Sequence, residues 1–124
     1  MSKRIVIIDD DQELLSELNE SLALNGYEVV GVNDASLVLD VIHKTKPDVI
    51  LLDLNIPKQS GFEIALELKY FSRLNHVPII AMTGFFNDDA YVSLMNLCGI
   101  QNCLKKPFNI GEVITQIEQY SAID

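Results

Sequence analysis

Aspartates directly follow two apolar segments of this chain. Asp53 comes after residues 49–52, Val-Ile-Leu-Leu, and three aspartates at positions 9–11 come after residues 5–8, Ile-Val-Ile-Ile. Short apolar runs rich in β-branched residues are typical of strands that are buried on both faces of a parallel sheet. Because parallel strands end at one edge of their sheet, where α/β proteins bind their ligands, we expect these carboxylates to form an acidic cleft.

Two further polar residues are expected at the same edge. Thr83 follows the apolar segment 77–82, and Lys106 follows the short segment 102–105. Carboxylates held close together repel one another, and Mg²⁺ relieves this repulsion because it binds carboxylates and accepts phosphate oxygens as further ligands. A lysine and a threonine hydroxyl can bind the other oxygens of a phosphoryl group. The set therefore predicts an aspartate that attacks phosphorus and keeps the group as an acyl phosphate.

The elements that must position these residues alternate along the chain. Apolar residues that recur at three- and four-residue steps between the predicted strands are typical of helices that pack on a sheet. The alternation predicts an α/β fold, a doubly wound parallel sheet of five strands with five helices, in one domain over residues 1–124. The predicted strands cover residues 5–8, 28–32, 49–52, 77–82 and 102–105.

Capping residues mark several of the expected helix ends. Asp11 is the predicted N-cap of the first helix, and residues 25–26, Asn-Gly, are its predicted stop. Asp34, with the asparagine before it, is a candidate N-cap for the second helix. Asn109 and Glu112 have the capping-box spacing at the start of the last helix.

Composition narrows the function classes. The 124 residues carry a net charge of −9, which argues against non-specific binding to nucleic acid or to an anionic membrane surface. No apolar stretch approaches the roughly 20 residues that span a bilayer, and we expect no signal segment before the first strand. Cys98 and Cys103 lack metal-ligand or disulfide spacing, so we expect reduced thiols in a cytoplasmic protein.

These motifs resemble the receiver domain of two-component system response regulators. The resemblance covers the whole chain, with every motif in order, and it implies the flavodoxin-like strand order 2-1-3-4-5. It rests on Asp9 and Asp10, on Asp53 with Pro57 and Gly61, on Thr83, and on Lys106, Pro107 and Phe108.

The resemblance also implies how the acidic residues divide their roles. Asp53 matches the residue that accepts a phosphoryl group from a histidine kinase. Asp10 and Asp53 would bind Mg²⁺, or Mn²⁺, directly, with the backbone carbonyl of Asn55 as a third protein ligand. Asp9 would act mainly through water.

Thr83 and Lys106 receive roles from the same resemblance. Thr83 matches the switch hydroxyl that turns toward the phosphoryl group, and Lys106 matches the lysine that pairs with that group. The bond between Lys106 and Pro107 is expected to be cis. Lys105 is the weaker candidate because side chains alternate along a strand.

The implied function is a phosphorylation-activated signalling receiver in a two-component system or phosphorelay. Its expected partners are a sensor histidine kinase or a histidine phosphotransfer protein, and a downstream effector protein or domain. We expect no catalysis beyond its own phosphorylation and dephosphorylation, and no direct contact with nucleic acid or membrane. Phosphorylation-linked homodimerisation is left open.

Two residues depart from the family pattern. Cys103 stands where relatives usually carry the tyrosine or phenylalanine that rotates inward as the switch hydroxyl moves. A thiol cannot fill the same volume, so the usual readout through the fourth helix, fifth strand and fifth helix is in question. Phe85, two residues after Thr83, leads to the hypothesis that its ring shields the acyl phosphate from water.

Other functions remain as alternatives. A haloacid dehalogenase-type phosphohydrolase also attacks phosphorus with a strand-end aspartate, but here Asn55 occupies the position of its second, proton-exchanging aspartate. A pseudo-receiver that only binds partners would not need the intact acidic set. A flavin binder is set aside because the aspartates 9–11 would repel the flavin phosphate. His43 and His76 have no ligand partners nearby in sequence, and we expect surface histidines that are not phosphodonors.

Overall fold

Five parallel strands form one sheet in the part of the chain that the structure describes. The computed structural model of the protein describes residues 2–55, 60–71, 76–84 and 89–121. The strands are β1 (Arg4–Ile8), β2 (Glu28–Val32), β3 (Val49–Asp53), β4 (Ile79–Thr83) and β5 (Ile100–Lys105). Their order in the sheet is β2-β1-β3-β4-β5, with every neighbouring pair parallel. The predicted α/β class and the strand order 2-1-3-4-5 are therefore confirmed.

Five α-helices alternate with these strands within the described ranges. They are α1 (Gln12–Leu24), α2 (Val38–Thr45), α3 (Gly61–Phe71), α4 (Asp89–Leu97) and α5 (Ile110–Ser121). Among the described helices, none combines the length and the apolar character that crossing a membrane requires.

The helices cover both faces of the sheet. All five residues of β3 are buried, as expected for the central strand of a parallel sheet with helices on each side. Side chains from α2, α3 and α4 pack on one face, and side chains from α1 and α5 pack on the other. Each fully buried leucine, isoleucine or valine stabilises the fold by about 1.5–3 kcal/mol. This two-sided core holds the strand ends in a fixed relation to one another.

Side-chain caps are found at the predicted starts of the first and last helices. Asp11 accepts hydrogen bonds from the backbone N–H groups of Glu13 and Leu14, at 3.0 and 3.2 Å, and so caps α1. Asn109 Oδ1 accepts from the backbone N–H of Glu112 at 2.9 Å, and the two side chains also bond to each other at 3.0 Å. These caps confirm the sequence prediction, because a cap depends only on residues within one turn.

The second helix begins later than its predicted cap. Asp34 caps a single 3₁₀ turn, Ala35–Leu37, and α2 proper starts at Val38. Lys46, in the left-handed conformation at φ 52°, ends α2 before Pro47. Residues 87–89, Asn-Asp-Asp, predict the start of the fourth helix. Residues 87–88 lie outside the described residues, and the described helix begins at Asp89.

The limits of β4 and β5 also differ from the prediction. β4 starts at Ile79 rather than at residue 77, because Pro78 has no N–H to donate to the ladder. β5 starts two residues early, at Ile100. Ile79 pairs with Ile100 but the next residue of β4 pairs with Asn102, so Gln101 is an extra residue in β5. Such a bulge breaks the alternation from which strands are predicted.

Candidate functional site

Neighbouring strand ends bring the predicted site residues to one edge of the sheet. Asp9 follows β1, Asp53 ends β3 and Thr83 ends β4. Lys106 follows β5, and its backbone N–H donates to the Thr83 carbonyl at 2.8 Å. Lys106 and Pro107 are joined by a cis peptide bond, as the resemblance implies. The parallel register thus gathers residues from four strands into one pocket.

Three carboxylates meet in this pocket. Asp9, Asp10 and Asp53 each place a carboxylate oxygen within 4.8 Å of those of the other two. Asp9 and Asp53 are buried, at 1 % and 4 % exposed, whereas Asp10 is exposed to solvent. Oxygen donors with this much negative charge suit a hard divalent cation such as Mg²⁺, and the exposed Asp10 leaves the cluster open to solvent. The donor set therefore fits the metal that the sequence predicts.

Lys106 supplies a positive charge on the other side of the pocket. Its Nζ atom lies 2.9 Å from Oδ2 of Asp9 and 3.8 Å from Oδ1 of Asp53. The lysine side chain is 30 % exposed, so its stem is packed while its ammonium group reaches the buried acids. Lys105, the alternative candidate, is exposed at the end of β5. The structure thus brings Lys106, as predicted, to the acidic cluster.

Both oxygens of Asp9 have donors from the chain itself. Oδ2 accepts from Lys106, and Oδ1 accepts from the backbone N–H of Asp11 at 3.0 Å. Since the Asp11 side chain also caps α1, Asp11 connects the start of that helix to Asp9 in the pocket. Sequence reasoning assigned Asp11 only the cap, because the second contact depends on how the chain turns after β1.

The surroundings of Asp53 act on its pKa in both directions. Burial raises the pKa of its carboxyl group, and the nearby carboxylates of Asp9 and Asp10 raise it further. The backbone N–H of Asn55, 3.1 Å from Oδ1, and the charge of Lys106 lower the pKa and so oppose this effect. A cation in the pocket would favour the ionised form for the same electrostatic reason. The nucleophilic form of Asp53 is therefore sensitive to the positive charge around it.

Thr83 and Asn55 are the other predicted site residues that the structure describes. Thr83 is fully buried, and Asn55 is exposed beside Asp53. The switch role of Thr83 and the metal-ligand role of the Asn55 carbonyl stay predictions. Pro57 and Phe85, including its proposed shielding role, lie outside the described residues.

None of the cysteines and histidines belongs to the cluster of carboxylates found among the described residues. Both cysteines are free thiols, Cys98 buried and Cys103 half-buried, and burial raises the pKa of Cys103 to about 11. His43 and His76 are exposed, as expected for surface histidines. A separate groove of about 510 Å³ near His76 and Tyr120 is lined by none of the predicted site residues.

The chain matches a known protein family over most of its length. The model of the response regulator receiver domain family matches residues 5–118. The response regulator MprA of Mycobacterium bovis is 32% identical over 117 residues, which are 94% of this chain and 50% of MprA. The polar-differentiation response regulator DivK of Brucella anthropi is 28% identical over 122 residues, which are 97% of each chain. This chain therefore spans about half the length of MprA and nearly all of DivK.

A solved structure shows the same fold. The chemotaxis protein CheY4 of Vibrio cholerae superposes with a TM-score of 0.91 at 24% sequence identity, covering 97% of this chain and 99% of that chain. The match of the family model confirms the family predicted from the strand-end motifs, and neither the phosphohydrolase nor the pseudo-receiver alternative is favoured. Receiver domains are signalling modules rather than classical enzymes. With its family match over residues 5–118, this chain belongs to the response regulator receiver domain family.

Proposed function

We propose that Asp53 accepts a phosphoryl group in a metal-dependent reaction, and that the phosphorylated protein presents a changed interaction surface. One observation carries the proposal. Asp53 shares its pocket with two further carboxylates, whose oxygens lie within 4.8 Å, and with the Lys106 ammonium group at 3.8 Å. An acceptor carboxylate, a cation site and a nearby positive charge are the parts that phosphoryl transfer requires.

The carboxylates and one carbonyl would hold the cation. Asp10 and Asp53 would bind Mg²⁺ or Mn²⁺ directly with the Asn55 carbonyl, and Asp9 would act through water. The exposed position of Asp10 and the two chain donors on Asp9 support this division. When bound, the cation neutralises negative charge that develops on the phosphoryl oxygens.

Asp53, Lys106 and Thr83 carry out the phosphoryl transfer. A carboxylate oxygen of Asp53 attacks phosphorus, an O–P bond forms, and the bond from phosphorus to the imidazole nitrogen of the donor breaks. Lys106 donates to one phosphoryl oxygen, and the Thr83 hydroxyl donates to another. The new group adds roughly one negative charge beyond the carboxylate that it replaces. That charge draws Thr83 and Lys106 toward residue 53 and biases a two-state surface.

The phosphodonor is a sensor histidine kinase or a histidine phosphotransfer protein, and the changed surface acts on an effector protein or domain. The receiver family and the similarity to the response regulators MprA and DivK support these partner classes. We place the protein in the cytoplasm, and the two free thiols support a reducing compartment. The protein catalyses only its own phosphorylation and dephosphorylation.

Intact mass spectrometry after incubation with acetyl phosphate and Mg²⁺ tests the proposal. We expect one phosphoryl adduct on the wild type, none on Asp53→Asn, and none on the wild type when Mg²⁺ is chelated. Asp40→Asn, at an exposed aspartate of α2, is the matched control and should keep the adduct. An adduct that survives in Asp53→Asn would contradict the proposed acceptor, and no adduct on the wild type would favour a pseudo-receiver. Continuous release of phosphate from simple monoesters would favour a phosphohydrolase.

A further inference from the structure

The first residue of α3 lies against the backbone of the proposed acceptor. Gly61 is buried, and a Cβ atom built on it would lie 2.5 Å from the carbonyl oxygen of Asp53 and 2.7 Å from Cα of Leu54. Both of these atoms belong to the main chain, so neither can move aside as the tip of a flexible side chain could. Only a residue without a Cβ leaves the end of β3 where it is.

Gly61 is also bonded to this segment. Its backbone N–H donates to the carbonyl of Leu54 at 3.2 Å, so the start of α3 is tied to the residue that follows the acceptor. Ser60 caps the same helix, since its Oγ accepts from the N–H of Glu63 at 3.3 Å and its carbonyl accepts from the N–H of Ile64 at 3.2 Å. The helix start and the strand end are therefore one connected unit.

The backbone from Asp53 to Asn55 links the Gly61 contact to the carboxylate pocket. The backbone N–H of Asn55 donates to Oδ1 of Asp53 at 3.1 Å, which orients the carboxylate. A shift at Asp53 or Leu54 would move this donor, the carboxylate and the Asn55 carbonyl together. We infer that Gly61 is a positioning residue for the phosphoacceptor and its cation, acting through the backbone of residues 53–55. This inference rests on the proposed function of Asp53.

Gly61→Ala tests the inference, because helix propensity alone predicts the opposite effect. Replacing glycine by alanine within a helix normally stabilises it. If Gly61 positions the acceptor, the variant should take up phosphoryl groups from acetyl phosphate about 10²-fold more slowly at saturating Mg²⁺, the loss expected for a misplacement of about 1 Å. Its dissociation constant for Mg²⁺, measured by titration calorimetry, should rise about tenfold.

Two control variants separate positioning from stability. Leu68→Ala removes a buried side chain from the same helix, at a site away from Asp53, and should lower stability while its Mg²⁺ affinity stays within about twofold. Gly31→Ala makes the same chemical change in β2, where the nearest neighbour is the Leu15 side chain at 3.4 Å. If Gly61→Ala and Leu68→Ala show the same rate of phosphoryl uptake and the same dissociation constant for Mg²⁺ at equal folded fraction, the inference is wrong.

A measurement on the wild type keeps the inference testable if Gly61→Ala does not fold. The N–H of Gly61 should be protected from hydrogen exchange. Mg²⁺ should increase this protection, because the proposed cation site includes residues 53–55 and this N–H is hydrogen-bonded to Leu54. Exchange at the rate of an unprotected amide, with and without Mg²⁺, would overturn the inference. If the wild type takes up no phosphoryl group while Gly61 behaves as expected toward Mg²⁺, the proposed function fails and the positioning role at the cation site stands.

Discussion

The ammonium group of Lys106 forms its closer ion pair with Asp9, at 2.9 Å, and its longer one with the proposed acceptor Asp53, at 3.8 Å. The two acids are buried, whereas the lysine side chain is 30 % exposed. Lys106 therefore serves as the intramolecular counterion of the acidic pocket, and it can shift toward residue 53 without leaving that pocket. A divalent cation bound in the pocket would act on the same negative charge as Lys106.

Lys106→Met should have opposite effects on cation binding and on phosphorylation. Removing the ammonium group leaves more uncompensated negative charge, so we expect tighter Mg²⁺ binding in a calorimetric titration. Phosphoryl uptake should fall about 10²-fold, because one donor to the transferring group is lost. Lys105→Met, at the exposed neighbour, is the control and should change neither quantity more than about twofold. Weaker Mg²⁺ binding by Lys106→Met would contradict this account of the pocket.

Thr83→Ala should separate phosphorylation from its structural consequence. The residue is fully buried at the end of β4, and the proposed role of its hydroxyl is to turn toward the phosphoryl group. We expect an adduct to form on Asp53 in the variant, but with smaller phosphorylation-induced amide shifts across α4 and β5 in NMR spectra. Thr83→Ser keeps the hydroxyl and should restore the shifts. Equal phosphorylation-induced amide shifts in Thr83→Ala and the wild type would show that the Thr83 hydroxyl does not act as the switch.

The contact between Tyr27 and Glu118 should make stability depend on alkaline pH. The Tyr27 hydroxyl donates to Glu118, which also pairs with Lys3 at 3.1 Å. Burial first, and then the bond to Glu118 and its charge, raise the pKa of Tyr27 from 10.0 to about 12. Because the folded-state pKa is raised, this contribution to stability is fully present below pH 10.0 and is lost as the pH rises toward about 12.

Thermal unfolding of Tyr27→Phe across this pH range provides the measurement. The variant should be less stable than the wild type at neutral pH, and the difference should shrink between pH 10.0 and about 12. Tyr70→Phe, at an exposed tyrosine of α3, should follow the wild type throughout. A difference between wild type and Tyr27→Phe that does not change over this range would mean that ionisation of the Tyr27 hydroxyl does not affect stability.

Cys103→Phe should be tolerated despite the larger side chain. A cavity of about 110 Å³ lies beside Cys103 between α4 and β5, with Val92 and Met95 among its lining residues. We expect a loss of less than about 1.5 kcal/mol in urea unfolding, because the ring can enter existing space. Ala81→Val adds bulk to the fully buried β4 partner of Cys103, away from that cavity, and should cost about 1–3 kcal/mol. A larger loss for Cys103→Phe than for Ala81→Val would show that the cavity cannot take the ring.

The hypothesis for Phe85 makes a kinetic prediction. If its ring shields the acyl phosphate from water, Phe85→Ala should lose the phosphoryl group faster than the wild type after acetyl phosphate is removed. Phe86→Ala, at the adjacent phenylalanine, is the matched control for general effects on that segment. An unchanged rate of autodephosphorylation in Phe85→Ala would refute the shielding role.

Local chemistry made much of the fold and of the candidate site predictable from sequence. Apolar β-branched runs identified the strands, and the aspartates after them identified the sheet edge, because parallel strands share one direction. The Asp11 cap and the Asn109 capping box were also predictable, since each involves residues within one helical turn. The bulge at Gln101 was not, because its position depends on how β5 pairs with β4.

By itself, the sequence determined which groups the pocket contains and which strands deliver them: the residue types are written in the chain, and hydrophobic periodicity orders the elements. The tertiary structure decided which groups meet. Lys106 and Asp9 are 97 positions apart, and only the packed sheet brings them to 2.9 Å. The approach of Gly61 to the backbone of Asp53 likewise depends on where α3 starts to pack. Contacts of this kind follow from distances between remote segments, which local propensity does not encode.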